Sequence, residues 1–252
     1  VWMAEMLREA GLPDGVFNIV NGDKEIVEAI CDHPGIEAVS FVGSTRVAKI
    51  VYKRATSNLK RAVALGGAKN HLLVLPDAHT EMTATNVVAS MSGCAGQRCM
   101  AAASMVGVGN VDHIINRMVE VAKDLIPGQN LGSVISKAAK ERIEGYISEA
   151  EAAGAKILVD GRNTTVAGKE GGFYVGATII DHVTPDMRIA KEEVFGPVIC
   201  ILRAKNLDEA IQLENSSNYG NAAAVFTQSG GLAREVMERA SAGMIGVNIG
   251  VP

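Results

Sequence analysis

The stretch FVGSTRVA, residues 41–48, joins a strand pattern to a helix pattern. Its apolar start is typical of a buried strand, and the residues that follow predict a helix beginning near Ser44. Gly43 would allow the backbone to approach a ligand closely, and the first-turn N–H groups would lie where a helix binds anions. The run matches neither the triple-glycine dinucleotide motif nor the Walker loop, so phosphate binding and a plain N-cap at Ser44 both remain open.

Strand and helix patterns alternate along the rest of the chain. This alternation predicts an α/β fold with a largely parallel sheet covered by helices. Ser136 and Asp208 are the predicted N-caps of two of these helices. The predicted strands cover residues 16–20, 38–42, 62–65, 72–75, 104–108, 156–159, 175–180, 198–202, 222–226 and 244–248. The predicted helices cover residues 1–10, 24–31, 44–57, 84–91, 115–125, 139–150 and 233–240, with one more following Asp208.

Composition excludes several classes of protein. The chain has 252 residues and a net charge of −4 without a dense basic run, which disfavours nucleic acid as a partner. No apolar run approaches the roughly 20 residues of a membrane span, and no signal segment opens the chain. Four cysteines without close doublets predict neither a zinc site nor a disulfide framework, and favour a reducing compartment.

The loop SGCAGQRCM, residues 92–100, carries the strongest chemical signal. Cys99 follows small, flexible residues and a cation, so its thiol is expected to be exposed and its thiolate favoured. Arg98 would either lower the pKa of this thiol or bind a substrate carboxylate. The alternative is that cysteine acts as a small buried hydrophobe, which we expect for Cys31, Cys94 and Cys200.

Five motifs together resemble the aldehyde dehydrogenase superfamily, in a consistent order across nearly all 252 residues. Within it, the strings GQRCMA at 96–101 and ALGGAKNH at 64–71 are most similar to the CoA-acylating methylmalonate-semialdehyde dehydrogenases. The five motifs are Phe-x-Gly-Ser at 41–44, Leu-Gly-Gly at 65–67, Gly-Gln-x-Cys at 96–99, Glu-x-Phe-Gly-Pro at 193–197 and Val-Asn at 247–248.

The resemblance implies a fold, a reaction and a set of site residues. Residues 1–65 would be the end of a Rossmann-type NAD domain, and residues 66–252 a parallel α/β catalytic domain. The reaction would be NAD-dependent oxidation of a malonate-type semialdehyde to an acyl-CoA thioester, through a covalent thiohemiacetal and thioester. Its site residues would be Cys99 as nucleophile, Gly43, Ser44 and Gly66 at the cofactor, Glu193 on the nicotinamide-side ribose and Phe195 near the nicotinamide ring.

Elementary chemistry agrees with these roles. A thiolate adds to an aldehyde, hydride leaves for NAD⁺, and the Cys99 N–H can bind the tetrahedral oxyanion. Glu193 has a competing interpretation as a solvated surface charge.

The chain departs from the family pattern in two positions. Ala64 replaces the glutamate that hydrolytic members carry as general base, so coenzyme A is the expected acyl acceptor. Ala48 replaces a glycine, which leaves the first helical turn more crowded.

The beginning and end of the chain carry further expectations. The first residues read as the middle of an amphipathic helix, so the chain is expected to be a piece of a longer protein, inactive by itself. The asparagine that completes the oxyanion hole would precede Val1, and a subunit-joining arm would follow Pro252. The parent is expected to be a homodimer or homotetramer, in the bacterial cytoplasm or the mitochondrial matrix.

Three alternatives remain open at this stage. The chain could be a non-acylating aldehyde dehydrogenase, or a protein that keeps the fold without the chemistry. It could also be a cysteine hydrolase that pairs Cys99 with a histidine, because such sites are recognised by geometry rather than order. The candidate histidines are His33, His71, His79, His113 and His182.

Overall fold

A computed structural model describes residues 1–251 of the chain. It contains two compact units, the first spanning Val1–Gly67 and the second beginning at Ala68. This division lies two residues after the predicted boundary at residue 65. No helix in residues 1–251 combines the length and the apolar composition of a membrane span.

The first unit contains a pair of parallel strands with one helix packed on one face. Alternate residues of both strands are more buried, so one face of the pair carries the apolar contacts. Cys31, Val51 and Ala55 form its buried core. The elements are α1 (Trp2–Glu9), α2 (Lys24–Asp32), β1 (Ala38–Val42), α3 (Thr45–Ser57) and β2 (Arg61–Leu65).

The predicted strand at residues 16–20 is wrong. The segment forms neither strand nor helix, and its five residues are exposed. A strand needs a neighbour to bond its N–H and C=O groups, and within residues 1–251 nothing pairs with this one. Its apolar composition alone therefore misled the prediction.

The second unit is a seven-stranded sheet with helices on both faces. Its strand order is β5-β6-β7-β4-β3-β8-β9, and every pair is parallel except β5 with β6. The strands are β3 (Asn70–Val74), β4 (Ala102–Val108), β5 (Lys156–Val159), β6 (Thr178–Asp181), β7 (Val198–Ala204), β8 (Ala222–Phe226) and β9 (Met244–Val247). The helices are α4 (Thr80–Ser92), α5 (Asp112–Lys123), α6 (Lys137–Ala152), α7 (Arg188–Lys191), α8 (Leu207–Asn215) and α9 (Gly230–Arg239). The predicted α/β fold with a largely parallel sheet is confirmed.

Successive side chains of the central strand β3 pack into the core on opposite faces of the sheet. Leu72 packs in the cluster that includes residues of α4 and α5, whereas its neighbour Leu73 packs in the cluster that includes residues of α8 and α9. Successive side chains of a strand point to opposite faces, so a continuous apolar run is what a doubly covered strand requires.

One of the two predicted N-caps is correct. The Ser136 hydroxyl accepts the N–H of Ala139 at 3.1 Å, as expected for the start of α6. Helix α8 begins two residues earlier than predicted, because Asn206 rather than Asp208 accepts the N–H of Glu209, at 2.9 Å. Asp208 lies in the first turn instead.

Four neighbouring parallel strands, in the order β7-β4-β3-β8, begin at one edge of the sheet. The segments that precede them in sequence therefore meet at this amino edge. Residues 193–197 precede β7, residues 93–101 precede β4, residues 68–69 precede β3 and residue 221 precedes β8. The candidate active site lies there.

Candidate active site

The Cys99 loop begins with a left-handed turn. Helix α4 ends at Ser92, and the following short helical turn contains Cys94 at φ 52°, Ala95 at φ 53° and Gly96 at φ 69°. Left-handed backbone costs about 1–2 kcal/mol at each residue that carries a Cβ. The surrounding packing must therefore hold this turn in place.

Cys99 is exposed, as its loop position predicts, and Cys31 and Cys200 are buried as expected. The expectation for Cys94 is wrong, because Cys94 is exposed. The buried positions of the turn are Ala95 and Gly96, and the reversal of backbone hand leaves the Cys94 side chain in solvent.

A close backbone approach joins the loop to the segment before β7. A Cβ on Gly96 would overlap the carbonyl group of Gly196 and lie 2.7 Å from the nitrogen of Pro197. A Cβ on Gly196 would in turn lie 2.6 Å from the Ile143 side chain. Two motifs separated by about 100 residues therefore pack directly through their glycines.

Gln97 ties the other side of the loop to residues 133–135. Its Oε1 accepts the N–H of Ile135 at 2.9 Å, while its Nε2 donates to the carbonyls of Cys94 and Ser133 at 3.1 and 3.3 Å. These hydrogen bonds hold Gln97, which lies two positions before Cys99, in one place.

Glu193 is a half-buried carboxylate rather than a solvated surface charge. Its Oε1 accepts the N–H of Ala68 at 3.1 Å, and burial raises its pKa above the ordinary value. Among residues 1–251, no hydrogen-bond donor contacts its second oxygen, Oε2. The carboxylate of Glu193 is therefore anchored on one side and available to a ligand on the other.

The neighbours of Glu193 hold its segment in place. The Tyr146 hydroxyl and the Arg188 guanidinium donate to the Glu192 carboxylate, and the Arg142 guanidinium donates to the Val194 carbonyl at 2.7 Å. The Glu192 carboxylate is therefore engaged in structural contacts, whereas one oxygen of Glu193 stays available to a ligand.

Four of the predicted residues line one small, open pocket: Arg98, Cys99, Glu193 and Phe195. Phe195 has a left-handed backbone with φ 55° and a partly exposed side chain. The structure therefore brings the predicted nucleophile, cation, carboxylate and aromatic ring together.

Arg98 has an unsatisfied guanidinium. Its Nε is buried without a hydrogen-bond partner, and within the described chain the side chain forms no ion pair. The guanidinium packs over Gly93, where a Cβ would lie 2.5 Å from Cζ. A buried unpaired donor is costly, and an anionic ligand that reached this guanidinium would supply the missing acceptor.

The predicted cofactor residues of the first unit surround the start of α3. Ser44 precedes the helix without a side-chain cap, and the first turn has no acidic residue, so its N–H groups remain open to an anion. Gly43 and Gly66 have structural reasons to be glycine. A Cβ on Gly43 would lie 2.6 Å from the Phe41 ring, and one on Gly66 would lie 2.9 Å from Thr45 Oγ1. Contact between any of these residues and a cofactor stays a prediction.

Sequence reasoning missed two residues of this site, Asn70 and Asn221. Asn70 Nδ2 and Asn221 Nδ2 donate to the Cys99 carbonyl at 2.9 and 3.0 Å. The only available signal was a polar residue at the start of a buried strand, which is too common to be specific.

No histidine in residues 1–251 lines the Cys99 pocket. His71 is buried, and burial lowers its pKa to about 4. His33 and His79 each accept a nearby backbone N–H, and His182 lies beside Asp181. The cysteine hydrolase alternative therefore lacks its general base in this arrangement.

Comparison with known proteins assigns a family. The model of the aldehyde dehydrogenase family matches residues 1–252. Malonate-semialdehyde dehydrogenase 2 of Bacillus thuringiensis strain Al Hakam is 46% identical, over 99% of this chain and 53% of that protein. The chain thus spans about half the length of the curated relatives it matches.

Two solved structures are similar along the whole chain. One is a protein of Sinorhizobium meliloti 1021 assigned as a methylmalonate-semialdehyde dehydrogenase and crystallised with NAD, with a TM-score of 0.96 and 43% identity. The other is methylmalonate-semialdehyde dehydrogenase of Oceanimonas doudoroffii, also with a TM-score of 0.96 and 43% identity. Each comparison covers 100% of this chain and 53% of the other.

Proposed function

The chain belongs to the aldehyde dehydrogenase family, and we propose that its protein oxidises malonate or methylmalonate semialdehyde to an acyl-CoA thioester with NAD⁺ as hydride acceptor. The relatives named for these substrates support the proposal. The observation that carries it is the shared pocket of Cys99, Arg98 and Glu193.

Cys99 supplies the nucleophile. Its thiolate adds to the aldehyde carbon and forms a thiohemiacetal, and loss of hydride leaves an acyl thioester on the sulfur. Within residues 1–251 the Cys99 N–H makes no hydrogen bond. This N–H is therefore free to donate to the oxyanion of the tetrahedral intermediate.

The residues present fit NAD in each unit. In the first unit, the uncapped start of α3 at Ser44 offers N–H groups for the pyrophosphate. In the second, the free Oε2 of Glu193 can accept a ribose hydroxyl, and Phe195 offers an aromatic side chain to the nicotinamide. When bound, NAD⁺ accepts the hydride.

Acyl transfer is proposed to go to coenzyme A. Ala64 has no group that can take a proton from water. A general base at this position typically raises the rate of such a step roughly 10²–10⁴-fold. A thiol acceptor needs this help less, because it can react as the thiolate.

Arg98 is proposed to bind the substrate carboxylate. Its guanidinium has no anionic partner among residues 1–251, and Arg98 is one of the residues that line the same pocket as Cys99. A malonate-type semialdehyde carries a carboxylate one carbon away from its aldehyde carbon, which matches a cation adjacent to the nucleophile.

The test is NADH formation from malonate and methylmalonate semialdehyde, with and without coenzyme A. We expect turnover that depends on coenzyme A and disappears in Cys99→Ala. Equal turnover without coenzyme A would favour the non-acylating alternative.

Sedimentation of the protein would test the proposed homodimer or homotetramer, and fractionation of the source cells would test the proposed reducing compartment.

A further inference from the structure

Two side-chain amides bind the carbonyl of the nucleophilic residue from the starts of two different strands. Asn70 at the start of β3 and Asn221 directly before β8 both donate to the Cys99 carbonyl, at 2.9 and 3.0 Å. A carbonyl oxygen has two lone pairs, so both of its acceptor positions are used.

The Asn70 amide is itself held by further hydrogen bonds on both its nitrogen and its oxygen. Its Nδ2 also donates to the Ala101 carbonyl at 2.8 Å, and its Oδ1 accepts the N–H of Ala222 at 3.2 Å. The pairing register of β3 and β4 shifts at Asn70, so this amide replaces hydrogen bonds that the irregular ladder lacks. Because Asn70 is buried, an unmade bond there would be costly.

The bound carbonyl restrains the backbone from which the thiol projects. Rotation about the Cα–C bond of Cys99 moves the carbonyl relative to the side chain, and two donors stop that rotation. The N–H of the same residue stays unbonded within residues 1–251. The Cys99 carbonyl is thereby held against the starts of β3 and β8, which limits movement of the backbone that carries the thiol.

We propose that Asn70 and Asn221 are positioning residues of the Cys99 nucleophile. Preorganisation of a nucleophile lowers the barrier without any contact to the substrate. The consequence for turnover rests on the proposed function, whereas the consequence for loop order does not.

The experiment uses Asn221, which is only partly buried and can be changed with less risk to folding than Asn70. Asn221→Ala removes the amide, and Asn221→Asp keeps its shape while replacing the donor with an acceptor. Asn215→Ala is the matched control, because the Asn215 amide also bonds the backbone, at Arg239 O and Ser241 N, away from the Cys99 loop.

We expect both Asn221 variants to lower kcat about 3- to 10-fold, the effect of one lost hydrogen bond, with KM for NAD unchanged. Hydrogen exchange of residues 94–101 should accelerate by a similar factor in both. Asn215→Ala should change neither quantity. Wild-type kcat and exchange in Asn221→Asp, or equal effects in Asn215→Ala, would overturn the proposal.

Loop exchange separates this proposal from the proposed function. If the wild-type protein oxidises no aldehyde, the function fails, but faster exchange confined to residues 94–101 in the Asn221 variants still supports the positioning role. Unchanged exchange there overturns the positioning role whatever the activity.

Discussion

Gly96→Ala tests the contact between the Cys99 loop and the segment that carries Glu193. The new Cβ would overlap the Gly196 carbonyl and lie 2.7 Å from the Pro197 nitrogen. Both obstacles are backbone atoms, which cannot rotate away as a flexible side chain can. The variant must therefore separate the two segments or strain the turn.

The expected cost has two parts. Gly96 has φ 69°, and an alanine in left-handed backbone costs about 1–2 kcal/mol. Forcing a methyl group into a packed site costs about 1–3 kcal/mol more. The sum, about 2–5 kcal/mol, is a large fraction of the roughly 5–15 kcal/mol that stabilises a typical domain.

The assay is urea unfolding followed by circular dichroism, with alkylation of Cys99 as a local readout. Gly145→Ala is the matched control, because Gly145 lies inside α6 with open space around its Cβ position. That change should raise stability by about 0.5–1 kcal/mol. Gly96→Ala should lower the unfolding midpoint and alter the alkylation rate of Cys99.

A Gly96→Ala protein as stable as wild type would refute the reasoning. Such a result would mean that the two glycine motifs do not pack as closely as the structure shows. An equal loss in Gly145→Ala would instead indicate a general intolerance to added methyl groups.

Three further outcomes are expected. Cys99→Ala should abolish aldehyde oxidation without changing the thermal unfolding midpoint. Cys94→Ala should have only a mild effect on the activity, because the Cys94 side chain is exposed and outside the pocket. Equal loss of activity in both variants would contradict the assignment of Cys99 as the nucleophile. Arg98→Leu should lower kcat/KM for malonate semialdehyde roughly 10- to 100-fold, the effect of a lost charge-assisted contact, with little change for propanal; a uniform loss would contradict carboxylate binding. Burial lowers the pKa of His71 from an ordinary 6.5 to about 4. Between these two pH values the imidazole therefore stays neutral in the folded protein, whereas it binds a proton in the unfolded chain. The free energy of unfolding is therefore unaffected by His71 above pH 6.5 and falls by about 3 kcal/mol as the pH drops from 6.5 towards 4. Urea titrations of His71→Gln at several pH values should lack this part of the decline.

Motif order and local periodicity were sufficient to predict the family, the α/β fold and the loop position of Cys99. The strands at residues 38–42, 156–159 and 222–226 have the predicted bounds. Helix periodicity and capping depend on residues three or four positions apart, which a single sequence displays directly. Ser136 was recognisable for this reason, because its acceptor role is completed three residues later.

Only the tertiary structure decided what surrounds Cys99. Strand order and parallel pairing bring the segments before β7, β4, β3 and β8 to one edge, and no local pattern encodes that order. Asn70 and Asn221 reach the Cys99 carbonyl across 29 and 122 positions of sequence. Exposure of Cys94 likewise depends on a turn whose left-handed backbone is held by packing, since local preference alone disfavours it.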